Sequence, residues 1–176
     1  LAAPAPTLDG LPVPLERDLF LRTLVRELAT VLEEVVGLDE ARGFVSLVGR
    51  RMGEQIDSDY RNALGVDRLT PEHVAAVLVD LKTRIKGDFR LVEMDDDRML
   101  FTSTACPFAE KVDGRPAMCM MTSNVFGTIA ADNLGYAKVE LGDTIATGAS
   151  TCRVTVHLRP TAAAAAASGQ EYFGDA

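Results

Sequence analysis

The stretch YAKVELGDTIATGASTCRVTVHL, Tyr136 to Leu158, alternates apolar and polar residues on both sides of a glycine-containing turn. Ala137, Val139 and Leu141 share one face of the first arm, and Cys152, Val154, Val156 and Leu158 share one face of the second. A period of two with an intervening turn is the pattern of an antiparallel hairpin with one buried face. Working back along the chain, DFRLVEM and RMLFTSTAC form a second pair of short strand-like runs around Asp95, Asp96 and Asp97. The three aspartates read as a solvated hairpin tip, because no further ligand spacing of a calcium loop accompanies them. Between the two hairpins lies a helix, about Pro116 to Leu134, closed by Gly135.

Three helices precede the hairpins. In LERDLFLRTLVRELATVLEEVVG, Phe20, Leu21, Leu24, Val25, Leu28, Val31, Leu32, Val35 and Val36 share an arc of roughly 160° at about 100° per residue. An arc that wide serves a core contact, a partner helix or both. In the second helix Phe44, Leu47, Val48, Met52, Ile56 and Tyr60 form the apolar stripe, while Gly49 and Gly53 lie one turn apart. Each helical glycine costs about 1 kcal/mol against alanine, so the pair implies close helix packing or a ligand against the backbone. The third helix, LTPEHVAAVLVDLKTRIKG, carries Thr70 as cap and Pro71 in its first turn. Its His73 reads as solvated. The order ααα-ββ-α-ββ describes an α+β domain with about four antiparallel strands.

Residues 1–14, with four prolines, read as a linker and not as a signal peptide; residues 15–160 form the domain; residues 161–176 read as a low-complexity tail whose Tyr172 and Phe173 are candidates for docking. A body of this size buries roughly 70% of its unfolded surface without disulfide support. Three cysteines without a secretory leader imply free thiols and a cytoplasmic location. Basic residues are outnumbered 18 to 26, for a net charge of −8, which argues against a nucleic-acid partner. No run reaches the roughly 18 apolar residues of a membrane span.

The strand order brings the cysteines together. If the second strand ends near Cys106, the following loop stays at that end, and Cys119 opens the next helix there. The turn before Cys152 returns to the same end. Three thiols at one end point to a soft ligand, since thiolates bind zinc and iron–sulfur clusters. A helix N-terminus, with Lys111 and Arg115 just upstream, is expected to lower the Cys119 pKa. For a fourth ligand Asp143 is in phase with Leu141, and Glu110 and Asp113 are alternatives in the loop. His157 falls on the face opposite Cys152. Met118, Met120 and Met121 read chiefly as packing. A metal-free redox pair and plain buried cysteines are the other readings.

TACPF followed by MC, and then GYAKVELGDTIATGASTCRVTV, resembles the 4-vinyl-reductase-like superfamily of sensor domains, and within it the methanogen output domain family. A similar Cys-Pro, Cys and Gly-x-x-x-Cys progression occurs in the sensing halves of iron–sulfur repressors. The resemblance covers roughly Leu15 to Pro160 and is specific at Cys106-Pro107, Cys119 and Gly148 to Cys152. It implies the ligand-binding fold of nitric-oxide-signalling and Golgi-transport proteins, homodimers, a pocket between helices and sheet, and a signalling role. The phenol-sensing zinc members place their zinc cysteines close together beside a glutamate; here no two cysteines are that close, which leaves more room for a cluster.

Two main functions follow. In one, a homodimer formed through the N-terminal helix holds zinc or an iron–sulfur cluster at Cys106, Cys119 and Cys152, with Asp143, and biases a signalling partner. In the other, a small apolar or aromatic ligand sits in a cavity lined by Phe44, Val48, Met52 and Phe126. An enzyme is disfavoured, since two histidines leave few carriers for acid–base work and no nucleophilic triad stands out. A nucleophilic Cys119 is the one enzymatic candidate.

Overall fold

The computed structural model describes residues 16–174, so the proposed linker lies outside the described residues. Three helices come first: α1 (Arg17–Val36), α2 (Leu38–Leu64) and α3 (Pro71–Arg84). Strands β1 (Arg90–Met94) and β2 (Arg98–Ser103) follow, then α4 (Cys119–Leu134), β3 (Tyr136–Leu141), β4 (Cys152–His157), α5 (Ala162–Ala166) and β5 (Gln170–Phe173). Single 3-10 turns occupy Ala109–Val112, Pro116–Met118 and Ile145–Thr147.

The local signals act where the sequence places them. Glu16 caps α1 by accepting from the amides of Asp18 and Leu19, at 3.0 and 2.5 Å. Thr70 caps α3 through the His73 amide. Asp95 makes the hairpin tip by accepting from the amides of Asp97 and Arg98, each at 2.9 Å.

The sheet has the order β1-β2-β4-β3-β5, and neighbouring strands are antiparallel throughout. The fifth strand departs from the sequence reading: the tail folds back, and Gln170–Phe173 pairs along β3. An alanine run followed by Ser168 and Gly169 hides a four-residue strand from any periodicity argument. Its anchor is Tyr172, whose ring covers Gly127 of α4 and whose hydroxyl lies 2.9 Å from Ser123 Oγ.

Helix α4 is the centre of the domain. The sheet covers one side, α2 the other, and α1 packs on α2. Its sequence accordingly lacks a polar face, as a helix enclosed on every side requires. Ser123, Asn124, Thr128 and Asn133 are buried along it. Asn133 donates to Asp57 Oδ1 at 2.5 Å and accepts from the Leu69 amide at 2.7 Å, tying α4 to α2 and to the start of α3. Asn124 donates to Ser46 Oγ at 3.1 Å.

The two glycines of α2 explain how it approaches so closely. A Cβ built on Gly49 would stand 2.7 Å from Asn124 Cβ, and one on Gly53 would stand 2.8 Å from Thr128 Cβ. Of the two uses read from the sequence, helix packing is the one realised. Gly53→Ala is expected to destabilise the protein by about 1–3 kcal/mol in chemical denaturation, the usual cost of overpacking. Gly43→Ala on the same helix, where nothing lies within 4 Å, is expected to be neutral or stabilising.

Candidate functional site

The cysteines converge, as the strand order requires. Ser103 ends β2 directly opposite Cys152, the first residue of β4. Asp88 then fixes the path toward Cys106. Its carboxylate accepts from Ser103 Oγ and the Thr104 amide at 2.7 Å, from the Ala105 amide at 2.8 Å, and from the Thr104 hydroxyl. Burial alone would raise its pKa, but these hydrogen bonds outweigh it and hold Asp88 well below the usual carboxylate range.

Each sulfur meets hydrogen-bond donors. The amides of Phe108 and Ala109 face Cys106. The Thr144 hydroxyl faces Cys119 at the start of α4. The Ile145 amide donates to Cys152 Sγ at 3.3 Å. All three cysteines are free and half-buried. They stand where the main core, which Cys152 joins, meets a smaller cluster of Ala29, Val112, Met118 and Ala146, which Cys106 and Cys119 join.

A fourth member was not anticipated. Lys82, in the last turn of α3, is only 5% exposed. Its Nζ donates to Thr122 Oγ1 at 2.7 Å and lies 5.0 and 5.3 Å from the ring centroids of Phe89 and Phe126. The charges acting on it belong to Cys106, Cys119 and Cys152, and not to a carboxylate. Burial draws its pKa down to about 8, against the opposing pull of the three thiols. The sequence carried a sign of this: Lys82 falls four residues after Leu78 and eight after Val74, on the apolar stripe of α3.

Burial also decides the state of the thiols. Cys119 is pushed up to about 11, chiefly by burial and then by the neighbouring cysteines, and Cys106 is raised for the same first reason. This corrects the expectation of a lowered Cys119. Desolvation outweighs the helix N-terminus, and the upstream cations point elsewhere: Lys111 pairs with Glu110, and Arg115 with Thr30 and Glu33. Three half-buried cysteines thus stand near one buried lysine, with the Ile145 amide donating to one of the sulfurs.

The remaining candidates separate from it. Asp143 lies beyond the end of β3 and is exposed, so it leaves the inward phase of Leu141. Glu110 pairs with Arg22, and Asp113 is exposed. His157 is buried at the far end of β4, with Nε2 3.6 Å from Glu140. Phe126 is enclosed in the core between Phe89 and Phe101, whereas Phe44, Val48 and Met52 are about half exposed on α2. None of these four residues lines either of the two surface hollows described next. Two surface hollows, of about 630 and 440 Å³, lie along α3 and β1 and beside β5, away from the thiols. Among the described residues no three His, Cys, Asp or Glu side chains are arranged to hold a metal ion.

The cysteine loop is also gripped by α1. Arg26 donates to the carbonyls of Lys111 and Asp113 at 2.7 and 3.2 Å, and Arg115 donates to Thr30 Oγ1 at 3.2 Å. Any change in the loop's position thus reaches α1 directly. The opposite side of α1 is an apolar stripe without a partner among the described residues, with Phe20, Leu28, Val31 and Val35 all more than half exposed.

A family model, methanogen output domain 1, matches residues 24–157. No curated protein matches the chain. Among solved structures, a trafficking protein particle complex subunit 3 from Naegleria fowleri, covalently bound to palmitic acid, aligns with a TM-score of 0.59 at 11% identity over 90% of this chain and 98% of its own. The phenol-responsive sensory domain of the transcription activator PoxR, with phenol, aligns with a TM-score of 0.59 at 13% identity over 82% of this chain and 76% of its own. At such identities the likeness is one of fold, and it agrees with the α+β architecture expected from the element order.

The Asp88 turn gives a pH test. A carboxylate with a depressed folded pKa contributes stability above its unfolded pKa of about 4, and that contribution is lost as pH falls through the folded value. Asp88→Asn is expected to be less stable than the parent at pH 7, and to lose less further stability between pH 5 and pH 2. Urea denaturation at the three pH values measures both.

Proposed function

The chain belongs to the methanogen output domain 1 family, and from that membership we propose that it is a non-enzymatic sensor and output domain that acts as a homodimer. Its sensing site is the group of Cys106, Cys119 and Cys152 around Lys82. The observation that carries this reading is that three free, half-buried cysteines come to one end of the domain, where the Ile145 amide donates to Cys152 Sγ at 3.3 Å and the Lys82 ammonium is buried nearby.

Such surroundings suit thiolates, and buried thiols become thiolates when a soft cation replaces their protons. The three cysteines would hold zinc or an iron–sulfur cluster, which supplies a centre that responds to metal supply or redox state. The side chains would have to close on it from their present positions. The protein's own part is to bind and orient the centre with Cys106, Cys119 and Cys152, and to keep donors on the sulfurs through Ile145 and Thr144. Free cysteines and the absence of a helix able to span a membrane among the described residues fit a cytoplasmic setting. The exposed α1 stripe supplies the surface for a second copy, and the Arg26 and Arg115 contacts connect that helix to the cysteine loop. A signalling partner would read the resulting change in the dimer.

Two experiments test this. Anaerobic purification followed by metal analysis and visible spectroscopy is expected to find zinc or iron, with Cys106→Ser and Cys152→Ser each losing most of it; metal-free protein indifferent to both substitutions would sink the metal reading. Since metal uptake displaces thiol protons, affinity is expected to fall as pH is lowered. Independently, light scattering is expected to show a dimer that Leu28→Glu converts to a folded monomer, Leu28 being 62% exposed on the stripe. A parent protein that is monomeric at all concentrations would refute the dimer.

A further inference from the structure

On one side the sheet ends at β1, and among the described residues no strand lies beyond it. An apolar edge strand invites pairing, so folded proteins cover or interrupt such edges. The register shift between Leu91 and Glu93 interrupts this one, yet Leu91 and Val92 remain exposed. Beside the edge lies the larger surface hollow, of about 630 Å³. One wall is the face of α3 that carries Ala75, Ala76, Val79 and Thr83; the other is β1 with Leu91 and Met94. At 1.5 Å per residue, the helical face from Glu72 to Thr83 makes it a trough on the order of 16 Å long. The chain passes from α3 into β1 at the Thr83 end, and Met94 lies toward the other.

The point where the chain enters the described fold bears on what fills this trough. Asp18, in the first turn of α1, lies 3.7 Å from Lys86 Nζ, and Lys86 closely follows the end of α3. The chain thus arrives beside the Thr83 end of the trough. Residues 1–15 precede this point, and about five extended residues cover such a length. Directly before Glu16 the sequence reads LPVPL, residues 11–15. In an extended segment Leu11, Val13 and Leu15 fall on one face, with Pro12 and Pro14 between them. In antiparallel pairing alternate residues turn their N–H groups toward the neighbouring strand and the rest turn theirs away. Proline, which has no N–H, is tolerated at the outward positions of an edge and blocks further pairing there.

We propose that the trough between α3 and β1 is the docking site for residues 11–15 of this same chain. They run antiparallel to β1, with Leu11, Val13 and Leu15 directed into the trough and the two prolines at the outer edge. Entry point, length and residue spacing all match this segment. Docking ties the start of α1 to the edge of the sheet.

The chain contains no tryptophan, so a single Val13→Trp substitution supplies a unique reporter in the full-length protein. Its indole is expected to emit at shorter wavelength and to resist acrylamide quenching, whereas Ala3→Trp gives solvent-like emission. Ala76→Arg, placed at an exposed position of the trough, is expected to return the emission of Val13→Trp to that of the control. Should that double variant not fold, Thr83→Arg at the other end of the trough takes its place. In amide hydrogen exchange, Leu11→Asp with Val13→Asp is expected to speed the amides of residues 91–94 on the order of tenfold. A solvent-like indole in Val13→Trp overturns the proposal. A shielded indole that ignores both arginine substitutions overturns the trough as its site. Shielding that appears only as protein concentration rises assigns the segment to a second copy and overturns docking within one chain.

Discussion

The whole domain depends on how closely α2 lies against α4. Gly49 and Gly53 leave no room for even a methyl group over Asn124 and Thr128, so the two helices meet almost backbone to backbone. That proximity lets short polar side chains bridge them: Asn124 reaches Ser46, and Asn133 reaches Asp57. Each of these groups would cost about 1–3 kcal/mol if buried without its partner. The same network extends to the Leu69 amide, where it fixes the start of α3. Helix spacing and polar pairing are thus one constraint, and neither survives without the other.

The position of the site follows from this packing. With α4 held between α2 and the sheet, its first residue, Cys119, comes to the end of the sheet where β2 leaves and β4 enters. Helix α3, anchored at its start by Asn133, brings Lys82 to the same end beside Phe89 and Phe126. Asp88 sets the departure of the chain from β2. The proposed sensing group therefore draws its parts from α3, the loop after β2, α4 and β4, and no single segment contains it. Its link to the apolar face of α1 runs through Arg26 and Arg115, which hold the intervening loop from the other side.

Much of this was legible in the residues. Alternation in Tyr136–Leu158 gave the main hairpin, and the topology rules then forced three distant cysteines toward one end. The helical glycines announced close packing because their cost needs a reason. The misses have physical causes. The strand β5 is four residues long and gains its place from one ring over Gly127, which no local pattern encodes. The reading of Phe44, Val48 and Met52 as a pocket assumed that an apolar stripe faces inward, but in α2 the buried phase belongs to Ala41, Gly49, Gly53 and Asp57. Small and polar residues can mark the inner side of a helix when the neighbour is very near. Lys82 was visible on the apolar stripe of α3, yet its meaning needed the tertiary neighbours. The raised thiols needed them too, because burial is a property of the fold and not of the helix terminus.

The arrangement of partners around α4 has a consequence for folding kinetics. One side of this helix is satisfied by residues 46–57, far upstream, and the other by Tyr172, far downstream. Isolated α4, with no polar face, has nothing to favour it in water, so neither contact forms until the chain has closed long loops in both directions. Loop-closure entropy is incurred before those contacts return anything. Covering α4 therefore requires long loops to close both upstream and downstream of it.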